Sequence, residues 1–320
     1  MPISINLLDK LSPENNIFVA FSGGLDSTAL LFLCNEALKQ KKIKNLKAIH
    51  INHNLSVNCD KWQHHAENFC MTQNIKFESF SVDISSKRSS IESQARQARY
   101  KIFENLLEEN DQILLAHHRD DVFETILLRL FRGTGIDGLS GPDEIRSLGK
   151  GEIIRPFLHL SKIDLKKYID LNGLPYIEDD TNKNNDFDRN FLRNEIIPLL
   201  DKRWKKISDR ASFTSLTAKK KKLSLDFMLE KDFKKEISSG AIKKSNFLDI
   251  PSFITEELIR LILRKKGIAL PNQKVLSEIM NVFFHKKPSH KSYVEWSRKD
   301  GEQVGGKVFL EKDDVIFQKK

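Results

Sequence analysis

Along the first half of the chain, short apolar runs alternate with segments whose apolar residues return every three or four positions. Ile17–Phe21, Leu46–Ile51, Lys76–Val82 and Gln112–Ala116 read as strands. Asp26–Lys39, Lys61–Thr72, Ile91–Glu109 and Asp120–Phe131 read as helices, the third of them long and amphipathic. This alternation predicts a doubly wound α/β domain on a parallel sheet. Ligands of such sheets gather at the carboxyl ends of the strands. Here the unusual polar residues follow Phe21, Ile51 and Ala116.

The second half is more polar. Gly133–Gly151 is glycine-rich and reads as a loop, and Glu178–Asn190 as a second loop crowded with Asp and Asn. Ser161-Lys-Ile-Asp164 has the form of a capping box, with Gly173 as the matching C-cap. Phe191–Leu199 reads as a helix ended near Pro198, and Trp204 to about Glu236 as a single Lys-rich linker helix. Residues 252–266 and 273–284 read as two further helices. Tyr293–Trp296, Val308–Leu310 and Val315–Phe317 read as short strands separated by Lys-Asp-Gly and Asp-Asp turns. The expected division is residues 1–205 for the α/β domain and 206–320 for the linker helix with a smaller mixed α/β domain.

Charge sharpens that division. The net charge is +9, yet residues 1–200 carry 25 Lys/Arg against 28 Asp/Glu, and residues 201–320 carry 28 against 16. A basic block beside a nearly neutral one points to a polyanion partner such as nucleic acid. A Lys-rich solvated surface without a partner is the plain alternative. Cys34, Cys59 and Cys70 form no C-x-x-C pair and no zinc-type spacing, as expected of reduced thiols. No secretory signal and no apolar run of bilayer length are visible, so a cytoplasmic protein without a membrane partner is expected.

The candidate chemistry starts where the first strand stops. Ser22-Gly23-Gly24-Leu25-Asp26-Ser27-Thr28 turns from strand to helix, aiming backbone N–H groups and the positive helix end at one point, which suits a phosphate. It matches neither the Walker pattern nor G-x-G-x-x-G. It resembles the pyrophosphate loop, or PP-loop, of enzymes that cleave ATP to AMP and pyrophosphate. An ordinary βα turn capped by Ser27 is the alternative. A carboxylate at a phosphate site makes sense with a divalent metal between them, so Asp26 is the candidate metal ligand. Ala116-His117-His118-Arg119-Asp120-Asp121-Val122-Phe123-Glu124 also leads from strand to helix, with Asp121 and Glu124 on one helix face. That pair suits a cationic amine or a metal. Acids placed for the helix dipole are the competing explanation, which leaves the two histidines unexplained.

Four further fragments complete a pattern: Ile49-His50-Ile51-Asn52-His53-Asn54-Leu55, Ser93-Gln94-Ala95-Arg96-Gln97-Ala98-Arg99-Tyr100, Arg129 to Gly135, and Asp180-Thr181-Asn182 followed by Asp188-Arg189-Asn190-Phe191-Leu192-Arg193-Asn194. Together with the loop at Ser22–Thr28 they resemble the tRNA(Ile)-lysidine synthetase family over roughly residues 15–200. Asn52 and Val122 depart from the family pattern, where a small or acidic residue and Gln are common.

The resemblance implies ATP-dependent ligation of free L-lysine to C2 of the wobble cytidine of a tRNA(Ile) with a CAU anticodon, through an adenylated intermediate. It implies a PP-loop catalytic domain and a C-terminal region that grips tRNA. Ser22, Gly23, Gly24, Leu25, Ser27 and Thr28 would bind ATP, and Asp26 would hold Mg²⁺. His50 and His53 would line the adenosine site. Asp121 and Glu124 would hold the two nitrogens of lysine, and Arg96, His117 and Arg189 would surround the cytosine and the α-phosphate. A homodimer is one assembly it allows. Two other classes stay open: a different PP-loop enzyme, such as a thiolase or an amidotransferase, and a non-enzymatic RNA-binding protein.

Overall fold

The computed structural model describes residues 3–54, 58–82, 91–247, 249–286, 292–297 and 304–320. The chain divides into two compact units, one of residues 1–87 with 98–219 and one of residues 88–97 with 220–320.

The first unit is built on six strands: β1 (Asn16–Ala20), β2 (Asn45–Asn52), β3 (Lys76–Ser81), β4 (Gln112–Leu114), β5 (Ile145–Leu148) and β6 (Gly151–Ile154). Their order is β3-β2-β1-β4-β6-β5, parallel throughout except for the β5–β6 pair at the edge. The crossovers are α1 (Leu25–Lys39), α2 (Cys59–Thr72) and α3 (Ile91–Leu106), the last of which begins in the residues that group with the second unit. After β4 come α4 (Arg119–Phe131) and the one-turn α5 (Ile136–Leu139). Beyond the sheet lie α6 (Lys162–Leu171), the one-turn α7 (Asp188–Phe191), a π-helical stretch Leu192–Ile196 and α8 (Ile197–Arg203).

Why β1 reads as an unbroken apolar run is plain from its two faces. Ile17 and Val19 join a cluster with Leu30, Leu31 and Cys34 of α1, Phe69 of α2 and Leu165 of α6. Phe18 faces the opposite cluster of Tyr100, Phe103, Ile113 and Ile153. Both faces of a parallel sheet are covered, so β1 is apolar from Ile17 to Ala20. The strand order reverses between β1 and β4, which opens a crevice at their carboxyl ends.

The second unit holds an antiparallel sheet, β7 (Ala241–Lys243), β8 (Tyr293–Trp296), β9 (Gly306–Glu311) and β10 (Asp314–Lys319), in the order β7-β10-β9-β8. The long α9 (Ile207–Asp232) runs into it from the first unit, and α10 (Lys234–Ser239), α11 (Ser252–Lys265) and α12 (Gln273–Ile279) follow. Leu258, Ile259, Ile262, Leu276, Ile279 and Phe283 pack on Val308, Val315 and Phe317. A doubly wound parallel sheet with a smaller mixed domain is therefore the architecture.

Several expectations are corrected. The Gly133–Gly151 stretch is not a bare loop: it contains α5 and β5, and its last glycine opens β6. Gly151 is required there, because a Cβ would come 2.4 Å from the Asp111 carbonyl oxygen. Pro198 does not end a helix. Helical backbone runs on through it, from α7 and the π-helical Leu192–Ile196 into α8, so its missing N–H falls inside a continuous helical run directly after a π turn. The linker helix is two helices, with breaks at Trp204–Lys206, where Lys206 takes φ +60°, and at Phe233. The capping box at Ser161 is present, since Asp164 N–H donates to Ser161 Oγ at 3.1 Å and Ser161 N–H to Asp164 Oδ2 at 3.0 Å. The Lys-Asp-Gly turn and Leu55 lie outside the described residues.

Candidate active site

The loop after β1 is held open by its own atoms. Gly23 adopts φ +81°, a backbone that disfavours side chains. Its carbonyl accepts the Ile177 N–H at 2.9 Å. Ser27 Oγ accepts from Ser22 N–H at 3.2 Å and donates to the Gly24 carbonyl at 3.0 Å. Thr28 N–H donates to the Gly24 carbonyl, which begins α1. Leu25 is the first residue of that helix. Asp26 Oδ1 and Thr28 Oγ1 are buried, and neither makes a hydrogen bond among the described residues. Two orphaned oxygen donors beside a helix N-terminus fit a hard cation with phosphate. Mg²⁺ takes few protein carboxylates and keeps waters and phosphate oxygens, so Asp26 alone is a sufficient anchor. Among the described residues no cluster of three or more His, Cys, Asp or Glu is arranged for a metal.

Beside the loop, His50 is buried and donates Nδ1–H to the Phe21 carbonyl at 2.9 Å, bracing the strand end. Burial holds its pKa below the ordinary histidine value. His53, just past β2, is pushed down to about 4 by burial and by the positive charge of Arg99. Its Nδ1 is buried and makes no hydrogen bond among the described residues. Both rings are neutral at pH 7.

The carboxylates gather after β4. Asp120 Oδ2 accepts the Lys162 N–H at 2.8 Å, and Arg119 N–H donates to the Leu160 carbonyl at 2.8 Å, so the start of α4 is tied to that of α6. The buried His118 ring lies between acids, with Nε2 3.6 Å from Asp26 Oδ2 and 3.5 Å from Asp121 Oδ2, and Nδ1 3.7 Å from Asp120 Oδ2. Burial alone would lower its pKa. The close Asp26 carboxylate and the charges of Asp121 and Asp120 outweigh that and raise it.

Asp121 and Glu124 do share a face, as their spacing predicts, and two arginines meet them there. Arg189 donates to Glu124 Oε2 at 2.7 Å and to Asp121 Oδ1 at 3.1 Å. Arg193 donates to Glu124 Oε1 at 2.6 Å and Oε2 at 2.8 Å, and to Asp121 Oδ1 at 3.3 Å. Asp121 Oδ2 accepts the His118 N–H at 3.0 Å. Against a burial effect that would raise it, His118 and Arg189 hold the Asp121 pKa down to about 2. The cluster brings together four of the six residues expected to be catalytic: Asp26, Asp121, Glu124 and Arg189. His117 follows β4 and accepts from Arg155 Nε at 3.2 Å through Nδ1. Arg96 belongs to the stretch of α3 that groups with the second unit.

Three participants escape the sequence reading: His118, Arg193 and Arg155. The first two lie inside fragments that carried the resemblance. Arg155 has a weaker signal, a lone cation in the run Ile153-Ile154-Arg155-Pro156-Phe157-Leu158.

Residues 3–200 match a family model of the PP-loop domain. The chain is 38% identical over 284 residues to the tRNA(Ile)-lysidine synthase of Coxiella burnetii (strain RSA 493 / Nine Mile phase I), covering 87% of this chain and 62% of that protein. It is 33% identical over 313 residues to the tRNA(Ile)-lysidine synthase of Legionella pneumophila (strain Paris), covering 96% of this chain and 71% of that one. The chain belongs to the tRNA(Ile)-lysidine synthase family. Use of ATP goes with that membership, since the PP-loop domain is an ATP-using one. The chain spans 62% and 71% of the length of these two relatives. Among solved structures, the U34-tRNA thiolase NcsA from Methanococcus maripaludis with its [4Fe-4S] cluster has a TM-score of 0.53 at 18% identity, covering 68% of this chain and 76% of that one. That likeness is one of fold. No helix among the described residues is long and apolar enough to cross a membrane.

Proposed function

We propose that this chain ligates lysine to C2 of the wobble cytidine of a CAU-anticodon tRNA(Ile), at the expense of ATP, in the cytoplasm. The observation that carries the reading is the meeting of a pyrophosphate loop with half-buried Asp121 and buried Glu124 at the carboxyl ends of β1 and β4. One half suits activation by ATP and the other suits an amine nucleophile.

In this reading the loop N–H groups and Ser27 bind the pyrophosphate portion of ATP, and His50 and His53 flank the adenosine. Asp26, with Thr28 beside it, would hold Mg²⁺, which supplies charge neutralisation on the phosphates. Cytosine O2 attacks the α-phosphorus and pyrophosphate leaves. The lysine ε-amine then attacks C2 and AMP leaves, with a carboxylate of the pair accepting the amine proton. Arg189 faces the α-phosphate and the cytosine, which has left the anticodon stack. Lysine competes with the Arg189 and Arg193 guanidiniums for Asp121 and Glu124.

Those ion pairs favour a second reading, in which Asp121 and Glu124 only anchor the Asp188–Ile196 segment. Incubation with radiolabelled lysine, ATP and total tRNA tests the reaction. Base-stable label in RNA supports it, and ATP–pyrophosphate exchange without label in RNA overturns it. Glu124→Gln separates the two readings: a raised KM for lysine with an unchanged KM for ATP supports the lysine site.

A further inference from the structure

Arg155 follows β6 and is 3% exposed. The parallel pairing of β4 with β6 sets Leu114 opposite Ile154, and Leu115 N–H donates to the Ile154 carbonyl at 2.9 Å. Two residues beyond Leu115 stands His117. This register brings Arg155 Nε to 3.2 Å from His117 Nδ1. The rest of the guanidinium is anchored on protein: Nη1 donates to the Asp143 carbonyl at 2.7 Å and Nη2 to the Tyr100 hydroxyl at 3.4 Å. Its backbone N–H donates to the Glu144 carbonyl at 2.8 Å.

A guanidinium has five N–H donors, no acceptor, and does not deprotonate in proteins. The imidazole nitrogen it donates to must therefore be the bare one. That excludes two of the three states of the His117 ring. The imidazolium carries protons on both nitrogens, and the other neutral tautomer carries its proton on Nδ1. Only the neutral ring with Nε2–H remains. We propose that Arg155 is a positioning residue that holds His117 in its Nε2–H tautomer, so that His117 serves the reaction as a neutral hydrogen-bond donor and not as a general base.

The role of that donor rests on the lysine-ligation reading. A fixed N–H aimed at charge developing on the α-phosphate or on cytosine O2 stabilises it without reorganisation. The neighbouring histidine shows the contrast. His118 is ringed by Asp26, Asp120 and Asp121, while His117, which Asp121 also faces, is held through Nδ1 by a buried arginine.

The test uses the full chain with ¹⁵N-labelled histidine and long-range ¹⁵N–¹H spectra at neutral pH. The signals of His117 among the nine histidines are assigned by their loss in His117→Gln. The expected pattern is a protonated Nε2 and a bare Nδ1. Finding His117 as the imidazolium or as the Nδ1–H tautomer overturns the proposal without any variant, even if Arg155→Met fails to fold. Folded Arg155→Met should show mixed tautomers and lose about tenfold or more in kcat for lysine incorporation, with KM for ATP and lysine within about twofold. Arg155→Lys, whose ammonium can still donate to Nδ1, should recover part of the rate. Tyr100→Phe, which removes only the 3.4 Å contact to Nη2, should leave the His117 tautomer unchanged. A wild-type kcat in Arg155→Met overturns the positioning role and leaves the lysine-ligation reading standing. If the unaltered chain incorporates no lysine, that reading falls, and the tautomer pattern alone decides whether Arg155 sets the state of His117.

Discussion

Asp26 offers one carboxylate oxygen to a buried histidine and leaves the other without a hydrogen bond. Asp26→Asn keeps the shape and removes the charge. Steady-state lysine incorporation should fall by about 10²–10³-fold, the cost of losing one preorganised electrostatic contact. Near-normal turnover would sink its role as metal ligand. Glu124 makes a different kind of prediction, because it is buried and both its oxygens are bonded to arginines. Glu124→Ala strands two guanidiniums, and the urea midpoint should report a loss of about 3 kcal/mol. His53 supplies a pH signature. Its folded pKa of about 4 lies below the ordinary 6.5, so the unfolded chain binds the proton more readily in between. Its contribution is therefore present above pH 6.5 and is lost as pH falls toward 4. His53→Gln should flatten the decline of Tm across that window. An unchanged decline would show that His53 is not what the acid unfolds.

At the scale of elements, the β5–β6 hairpin decides the most and was legible the least. Gly149 and Gly151 read as loop punctuation, and β5 alternates exposed and half-buried residues around Arg146 and Ser147. A short edge strand carries no signal of its own, because its pairing comes from β6 and its burial from neighbours distant in sequence. Yet this hairpin carries Arg155 to the end of β4. Gly151→Ala would push a methyl into the Asp111 carbonyl, a backbone atom that cannot swing aside. It should destabilise the first unit by about 2 kcal/mol. If His117 depends on the hairpin, the same change should also lower lysine incorporation in protein that remains folded. Pro198 is a related case. Proline disturbs a helix interior by removing one N–H, and here the helical run continues past Pro198 with a π turn just before it, which no local pattern announces.

For the whole molecule, the basic last third is the feature with consequences for a partner. The lysines there are not equivalent. Lys266 donates to the Gly240 and Phe317 carbonyls at 3.0 and 2.8 Å, and Lys265 pairs with Glu230 at 2.6 Å, so both hold the second unit together. Lys220, Lys221, Lys234, Lys235 and Lys243 are exposed. We propose that this set contacts tRNA phosphates. Changing all five to Gln should spare the fold, weaken tRNA binding and flatten its salt dependence, by about 0.7–0.9 slope units for each phosphate that is no longer neutralised. Unaltered affinity and slope would leave the region a folding prop with a basic surface.

Local pattern determined the α/β alternation, the pyrophosphate loop, the capping box at Ser161 and the shared face of Asp121 and Glu124. Each depends on residues a few positions apart, where backbone preference and helical spacing act directly. The tertiary structure alone decided what meets those residues. Arg189 and Arg193 reach Glu124 from more than 60 positions away, and Arg155 reaches His117 across 38. Such contacts follow from strand order and register, which no single stretch of chain encodes. An arginine in sequence is most often a solvated surface charge. Burial against a partner is what turns it into part of a site, and burial belongs to the fold.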